Sequence, residues 1–174
     1  MSLHLIIDGY NLIRQSAALS ALDRRDLSWG RDTLVAWLGA YKKIKPHKIT
    51  VVFDGAKTPL LYDSRDQAKG IRILFSNGGK TADDVILTLV RQEKHQALVV
   101  TSDRAVMMAA EAAGAGVIPS AEFEEKLVTA RYLGVMDRDS ASESTGWTPT
   151  TRKKGPERRL PKRRRKALRQ MEKL

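Results

Sequence analysis

The sequence predicts a three-layer α/β/α domain with a central, mostly parallel sheet, followed by a basic C-terminal tail. Three observations support this fold class. Short runs of Val, Ile and Leu recur along the chain, segments with helical periodicity separate them, and an apolar content of 42% is sufficient for a buried core. Unbroken apolar runs are typical of strands that are buried on both faces, as in parallel sheets.

The predicted elements alternate between strand and helix. The strands are Leu3–Ile7, Ile49–Phe53, Ile71–Phe75, Ala97–Thr101 and Gly116–Ile118. The helices are Asp32–Ile44, Ala82–Glu93, Asp103–Ala113 and Glu122–Leu133. This alternation predicts parallel strands joined by right-handed crossovers, with helices on both faces of the sheet. Residues 55–70 are polar, contain Pro and Gly, and predict a long loop of functional or mobile character.

Charge divides the chain into a domain and a tail. Residues 1–136 hold 18 Lys and Arg and 15 Asp and Glu, a net charge of +3, and we assign them to one domain. Residues 137–174 hold 13 and 5, a net charge of +8, which completes the total of +11. We divide this region into a linker (137–151) and a basic tail (152–174). The expected partner of such a tail is a polyanion, most often nucleic acid.

Several classes of protein fit the sequence poorly. Cysteine is absent, which excludes disulfides, thiol nucleophiles and Cys-based zinc sites. No signal peptide is recognisable at the start, and no apolar run approaches the roughly 20 residues of a membrane span. We therefore expect a cytoplasmic protein. The three histidines are scattered, and the chain has neither a serine-nucleophile motif nor a dinucleotide-binding fingerprint.

Acidic residues occur at predicted strand ends and at one predicted helix start. Asp8, Asp54 and Asp103 follow strands, and Asp83-Asp84 opens a helix. In a parallel sheet these positions share the carboxyl edge, where ligands bind. Carboxylates at about 4 Å repel each other by on the order of 4 kcal/mol at a surface-like dielectric constant. A divalent cation would remove this repulsion, and all-oxygen ligands predict Mg²⁺ or Mn²⁺.

Each acid also has a purely structural interpretation. Asp103 is suited to capping a helix, Asp83 and Asp84 favour a helix N-terminus, and acids that precede glycine are common in turns. The adjacent Gly79-Lys80-Thr81 resembles half of a phosphate-binding loop, but the glycine required five residues earlier is Leu74. Thr81 is therefore expected to be a helix N-cap, and Lys80 a point charge for a phosphate.

Four motifs in order resemble the YacP-like branch of the NYN domains, which are relatives of the PIN nucleases. They are Ile6–Ile13 (IIDGYNLI), Val51–Gly55 (VVFDG), Lys80–Asp84 (KTADD) and Thr101–Arg104 (TSDR). The resemblance covers roughly residues 3–133 and leaves the tail outside. It implies a three-layer PIN-like fold and a Mg²⁺- or Mn²⁺-dependent endoribonuclease, in some relatives associated with decay of ribosome-bound mRNA.

The resemblance also implies roles for individual residues. Asp8 and Asp103 would be metal ligands with Asp54 and Asp83 close by, and Asn11 would orient substrate or a metal-bound water. Relatives often carry another acid where this chain has Leu87, which leaves Asp84 as the nearby substitute. The predicted catalytic residues are Asp8, Asp54, Asp83 and Asp103, and the predicted metal ligands are Asp8, Asp83, Asp84 and Asp103. The predicted substrate-binding residues are Asn11, Lys80, Thr81, Ser102, Arg104, Arg163, Arg164 and Arg165, with Thr101 as a further polar residue of the site.

The basic tail predicts contact with RNA, and its order is expected to depend on that contact. Like-charged blocks are normally disordered alone, whereas residues from Pro161 onward have enough spaced apolar side chains to form a helix on RNA. Two other functions stay open from the sequence. One is a catalytically silent module that binds RNA or the ribosome, and the other is a nucleotide-binding switch that uses Gly79-Lys80-Thr81.

Overall fold

The computed structural model describes residues 2–55 and 65–142 of the chain. The strands in these ranges are β1 (His4–Asp8), β2 (Lys48–Phe53), β3 (Arg65–Ala68), β4 (Ile71–Phe75), β5 (Ala97–Val100) and β6 (Gly116–Ile118). The helices are α1 (Gly9–Gln15), α2 (Ala17–Asp23), α3 (Leu27–Ile44), α4 (Ala82–Glu93), α5 (Arg104–Ala112) and α6 (Ser120–Ser142). A short 3-10 turn, Lys94–Gln96, leads from α4 into β5.

The strands form one six-stranded sheet in the order β3-β4-β2-β1-β5-β6. Every pair is parallel except β3 with β4, which is antiparallel. The predicted fold class, a mostly parallel sheet between helical layers, is confirmed. All five predicted strands and all four predicted helices are present, and their ends agree with the prediction within two residues, except at the start of α3 and the end of α6.

Two apolar cores lie on opposite faces of the sheet. Leu5 and Ile7 of β1 face one core, which they share with α1, α2, α3 and α6. Ile6 faces the other core, where α4 and α5 supply Ile86 and Val106. Successive residues of a strand point to opposite faces, so an unbroken apolar strand serves both cores. This is the physical reason why the central strands contain so little polar sequence.

The polar edge strand β3 was not predicted. Residues 65–68 fall within the segment that the sequence predicts to be a loop, so the loop assignment is wrong for these four residues, while 56–64 lie outside the described residues. The sequence of β3 is RDQA. A strand that pairs on one side only is often polar, because an apolar edge would promote association with other chains.

The helices α1 and α2 were also not predicted, because each has only seven residues. Ser16 separates them and acts twice: it ends α1, and its hydroxyl accepts a hydrogen bond from Leu19 N at the start of α2. Two predicted helices are longer than expected. α3 begins at Leu27 because Asp26 caps it, and α6 continues to Ser142, past the predicted domain end at residue 136. No helix among residues 2–55 and 65–142 is long and apolar enough to span a membrane.

Candidate active site

The carboxyl edge of the sheet brings together the acids predicted from the sequence. Asp8 is the last residue of β1, Asp54 follows β2, and Asp103 follows β5. The strands are parallel and β1 lies between β2 and β5, so the three positions face the same side of the domain. α4 begins at this edge and adds Asp83 in its first turn. The predicted convergence of these acids is therefore present in the fold.

Asp8 is the most enclosed carboxylate of the edge, with 9% of its surface exposed. Its Oδ1 accepts a hydrogen bond from Asn11 N (3.2 Å), and its Oδ2 accepts one from Thr101 Oγ1 (3.4 Å). Burial raises the pKa of Asp8, and the negative charge of Asp83 raises it further, while the hydrogen bond from Asn11 opposes the shift. The fold therefore holds this carboxyl in place at an electrostatic cost.

Asp83 is exposed, but other carboxylates surround it. Its pKa is raised first by partial burial and then by the charges of Asp103, Asp84 and Asp54. These effects require the acids to lie within electrostatic reach of one another. Since α4 begins one residue earlier, the helix dipole favours a negative charge here and partly offsets the repulsion.

Asp103 caps α5 and also belongs to the acidic edge. Its Oδ1 accepts hydrogen bonds from Ala105 N (2.8 Å) and Val106 N (3.2 Å). Its own backbone N–H donates to Thr101 Oγ1 (3.1 Å), and the Thr101 hydroxyl donates to Asp8. Thr101, which is fully buried, thus links the backbone of Asp103 to the carboxylate of Asp8.

Asp84 has a capping role. The Thr81 hydroxyl accepts a hydrogen bond from Asp84 N (3.2 Å), and Asp84 Oδ2 accepts from Thr81 N (2.9 Å) and Thr81 Oγ1 (3.0 Å), which completes a capping box. These bonds lower the pKa of Asp84. The expectation that Thr81 caps the helix is confirmed. Gly78 and Gly79 have φ values of 62° and 79°, so the preceding segment is a tight glycine turn before the helix.

Asn11 joins three turns at this edge. Its Oδ1 accepts hydrogen bonds from Ser102 N (2.8 Å), after β5, and from Ser120 Oγ (2.8 Å), at the start of α6. Ser120 N donates in turn to Ser102 Oγ (3.1 Å). Ser120 is fully buried and was not predicted from the sequence, although serine at the start of a helix is a recognisable signal. We call these three residues the Asn11 clasp.

Asp54 is held by a second residue that sequence reasoning missed. The hydroxyl of Ser76, which is 4% exposed, donates to Asp54 Oδ1 (3.4 Å) and accepts from Gly55 N (3.0 Å). A Cβ atom at Gly55 would lie 1.8 Å from the Ser76 carbonyl oxygen, so only glycine permits this approach of the two chain segments. The β2 and β4 ends are therefore fixed to each other beside the acid.

Two predicted cationic residues adjoin the acidic edge. Lys80 is exposed in the turn before α4, and Arg104 is exposed as the first residue of α5. Both side chains are therefore open to solvent. The predicted tail residues, Arg163, Arg164 and Arg165, lie outside the described residues.

The donor set fits a hydrated divalent cation better than a closed metal cage. Within residues 2–55 and 65–142, no group of three or more acidic or histidine side chains is close enough to hold a metal directly. The raised pKa values of Asp8 and Asp83 nevertheless reflect enclosure and repulsion that a cation would relieve. Mg²⁺ usually keeps several water ligands and needs only one or two carboxylates, so the arrangement suits it.

The fold and the acidic edge together define a class, the PIN-like, nuclease-type α/β domains. The chain belongs to the family described as YacP-like NYN domains, whose model matches residues 5–173. The resemblance was expected to end near residue 133, which is wrong, because the matched range includes the basic tail. Membership in this family supports a nuclease-type function related to RNA.

Two solved structures are similar to the chain over most of its length. The crystal structure of Rae1 (YacP) from Bacillus subtilis has 26% sequence identity and a TM-score of 0.69, with 82% of this chain and 83% of that chain covered. The crystal structure of a mutant of that Bacillus subtilis protein also has 26% identity, with a TM-score of 0.67 and coverage of 83% and 87%. No curated protein sequence matches the chain.

Proposed function

We propose that this protein is a Mg²⁺- or Mn²⁺-dependent endoribonuclease that hydrolyses RNA phosphodiester bonds at the carboxyl edge of the sheet. The observation that carries the proposal is the placement of Asp8, Asp83 and Asp103 on one edge of a nuclease-type domain, close enough for electrostatic coupling. Such coupling destabilises the free protein unless a ligand compensates for it. Perturbed carboxylates in one cluster are typical of functional sites.

Asp8, Asp83 and Asp103 would hold a hydrated cation, one or two of them directly and the others through its water ligands. Asp54 would lie close by, and Asp84 would be an additional ligand when it leaves its cap. A bound divalent ion would neutralise phosphate charge and make water more acidic. The protein itself positions these groups. Thr101 and the backbone N–H of Asn11 fix the Asp8 carboxylate. The Asn11 side chain is bonded to Ser102 and Ser120, so it would orient substrate or water by fixing the turns of the clasp.

Cations around the site would bind RNA. Lys80 and Arg104 flank the acids and would contact phosphates beside the scissile bond, with the Thr81 and Ser102 turns lining the same approach. Arg163, Arg164 and Arg165 of the tail would add sequence-independent affinity by counterion release. We further propose that the protein is cytoplasmic and that its substrate is mRNA, including mRNA on the ribosome.

The test is RNA cleavage by the purified full-length chain with Mg²⁺ or Mn²⁺, compared with the same reaction in EDTA. Asp8→Asn removes the central carboxylate charge and keeps the side-chain shape. Asp32→Asn, at an exposed position on α3, is the matched control. We expect cleavage by the wild type and the control, and loss of at least about 100-fold in Asp8→Asn. Cleavage that persists in both EDTA and Asp8→Asn would identify a contaminant and refute the proposal.

A catalytically silent RNA-binding module is the second candidate. It is favoured by the capping duties of Asp84 and Asp103, which give these acids structural roles without any metal. Under this alternative, RNA binds in the presence of every tested metal and no product forms. The same cleavage assay, read beside a filter-binding measurement, separates the two candidates.

A further inference from the structure

The edge of the sheet opposite to the acids carries a dense group of cations, which we call the basic edge. Its members are Lys42, Lys43, Lys45, Lys48, Lys69, Arg72 and Lys94. We infer that the basic edge is a second RNA-binding surface, which grips the phosphate backbone away from the site of cleavage. The choice of RNA as the partner rests on the proposed function.

The parallel sheet explains why these residues meet. The segments that lead into β2, β4 and β5 all lie at the amino edge of the sheet, because those strands run in the same direction. Lys42 and Lys43 end α3, Lys69 lies in the turn between β3 and β4, and Lys94 lies between α4 and β5. Lys48 is the first residue of β2, in register with the first residue of β1.

Contacts within the edge confirm that the segments are close in space. The Lys42 ammonium donates a hydrogen bond to the Gly70 carbonyl, which joins the end of α3 to the β3–β4 turn. The aliphatic part of Lys69 packs on Gly39, one turn earlier in α3. Charges of both Lys48 and Arg72 act on His4, the first residue of β1.

Acidic residues do little to neutralise this surface. Glu93 ends α4, and Glu111 lies one residue before the end of α5, so both are near the amino edge. Glu93 Oε1 accepts from Lys48 Nζ (2.6 Å) and lies 2.9 Å from His4 Nδ1. In the part of the chain that the structure describes, Lys48 is the one member of the basic edge that pairs with a carboxylate. Five of the seven members are exposed to solvent.

The size of the surface suits a nucleic-acid backbone. The strands β5, β1, β2 and β4 span three intervals of about 4.8 Å, or about 14 Å. A DNA duplex of that length carries on the order of eight phosphate charges, at one charge per about 1.7 Å, and an RNA duplex carries a similar number. The five exposed cations of the basic edge, Lys43, Lys48, Lys69, Arg72 and Lys94, are fewer than this number of phosphates, so each can contact a different one. Most are lysines, whose point charges contact phosphates without selecting a base.

The two edges are too far apart for one phosphate to contact both. His4 and Asp8 lie at opposite ends of β1, and four residue steps of about 3.3 Å separate them by about 13 Å. RNA held at the basic edge is therefore a different part of the substrate from the bond at the acids. The arrangement predicts a preference for long or folded RNA over short oligonucleotides.

The test uses the full-length chain and a fluorescent RNA duplex of about 20 base pairs in EDTA, so that no cleavage occurs. The triple variant Lys43→Gln, Arg72→Gln, Lys94→Gln removes three exposed cations of the basic edge. The control, Arg24→Gln, Arg25→Gln, Lys126→Gln, makes the same change of charge elsewhere on the domain. Affinity is measured over a range of salt concentrations, and circular dichroism monitors folding.

The triple variant is expected to reduce the slope of log affinity against log salt by up to about 2.7, because each phosphate contact contributes about 0.9. At 0.1 M salt this corresponds to a loss of up to about 500-fold, and the control should lose much less. A folded triple variant with the slope of the wild type, or with the same loss as the control, would overturn the inference. Binding to phosphatidylserine vesicles is measured in parallel. If the triple variant loses vesicle binding while its duplex binding is unchanged, the inference is overturned in favour of a membrane surface.

The result is independent of the cleavage assay. Because binding is measured in EDTA, an inactive protein can still show loss of duplex affinity, and an active one can fail to show it. With an active protein, cleavage of an oligonucleotide too short to reach both edges should be unchanged in the triple variant. A comparable loss of cleavage on that short substrate would also refute a separate surface.

Discussion

Removal of the Asn11 side-chain amide should destabilise the domain far more than an ordinary surface substitution. In Asn11→Ala, Ser102 N and Ser120 Oγ each lose an acceptor at 2.8 Å. Ser120 is 0% exposed, so water cannot replace the lost partner at that position without a local rearrangement. An unsatisfied buried donor costs about 1–3 kcal/mol, which gives an expected loss of about 2–6 kcal/mol for the two groups together.

Urea unfolding of the wild type, Asn11→Ala, Ser120→Ala and the double variant measures this cost. Ser120→Ala should lose only about 0.5–1.5 kcal/mol, because it removes the donor and leaves Asn11 bonded to Ser102. The two substitutions share a hydrogen bond, so their effects should not add in the double variant. An Asn11→Ala protein within about 0.5 kcal/mol of the wild type, or strict additivity, would refute the role of the clasp.

Local contacts at Thr81, Gly55 and His4 give three further predictions. Thr81→Ala removes the hydroxyl of the capping box and should lower the free energy of unfolding by about 1 kcal/mol in urea, with Thr88→Ala as an exposed control on the same helix. Gly55→Ala forces its new methyl group against the Ser76 carbonyl and should cost about 1–3 kcal/mol; a variant as stable as the wild type would contradict the close approach. Burial lowers the pKa of His4, so the unfolded chain binds this proton more readily; stability should decline as pH falls below about 6.5, and His4→Gln should flatten that decline in urea titrations at pH 5–7.

The main architecture could be predicted from the sequence because strands that are buried on both faces of the sheet have an unbroken apolar sequence. Ile71–Phe75 and Gly116–Ile118 have the predicted bounds, as does the helix Ala82–Glu93. Short or polar elements have no such pattern. A seven-residue helix such as α1 has less than two full apolar repeats, and the polar strand β3 is specified by its pairing with β4 and has no apolar pattern of its own.

The acids of the site could be placed on one edge, but their partners could not. Strand direction alone brings Asp8, Asp54 and Asp103 together. Ser76 and Ser120 act through contacts across 22 and 109 residues of sequence, to Asp54 and Asn11, and no local pattern encodes such pairs. The capping duty of Asp103 illustrates a further limit, because one side chain can satisfy a structural rule and still belong to a functional cluster.

The most direct test of the central claim is Mn²⁺ binding by the full-length chain, followed by electron paramagnetic resonance of the free ion. The wild type and Asp32→Asn should bind Mn²⁺ with the same affinity, whereas Asp8→Asn and Asp83→Asn should each lose at least about tenfold. This readout needs neither RNA nor catalysis. Equal Mn²⁺ affinity in all four proteins would contradict a divalent cation site at the carboxyl edge.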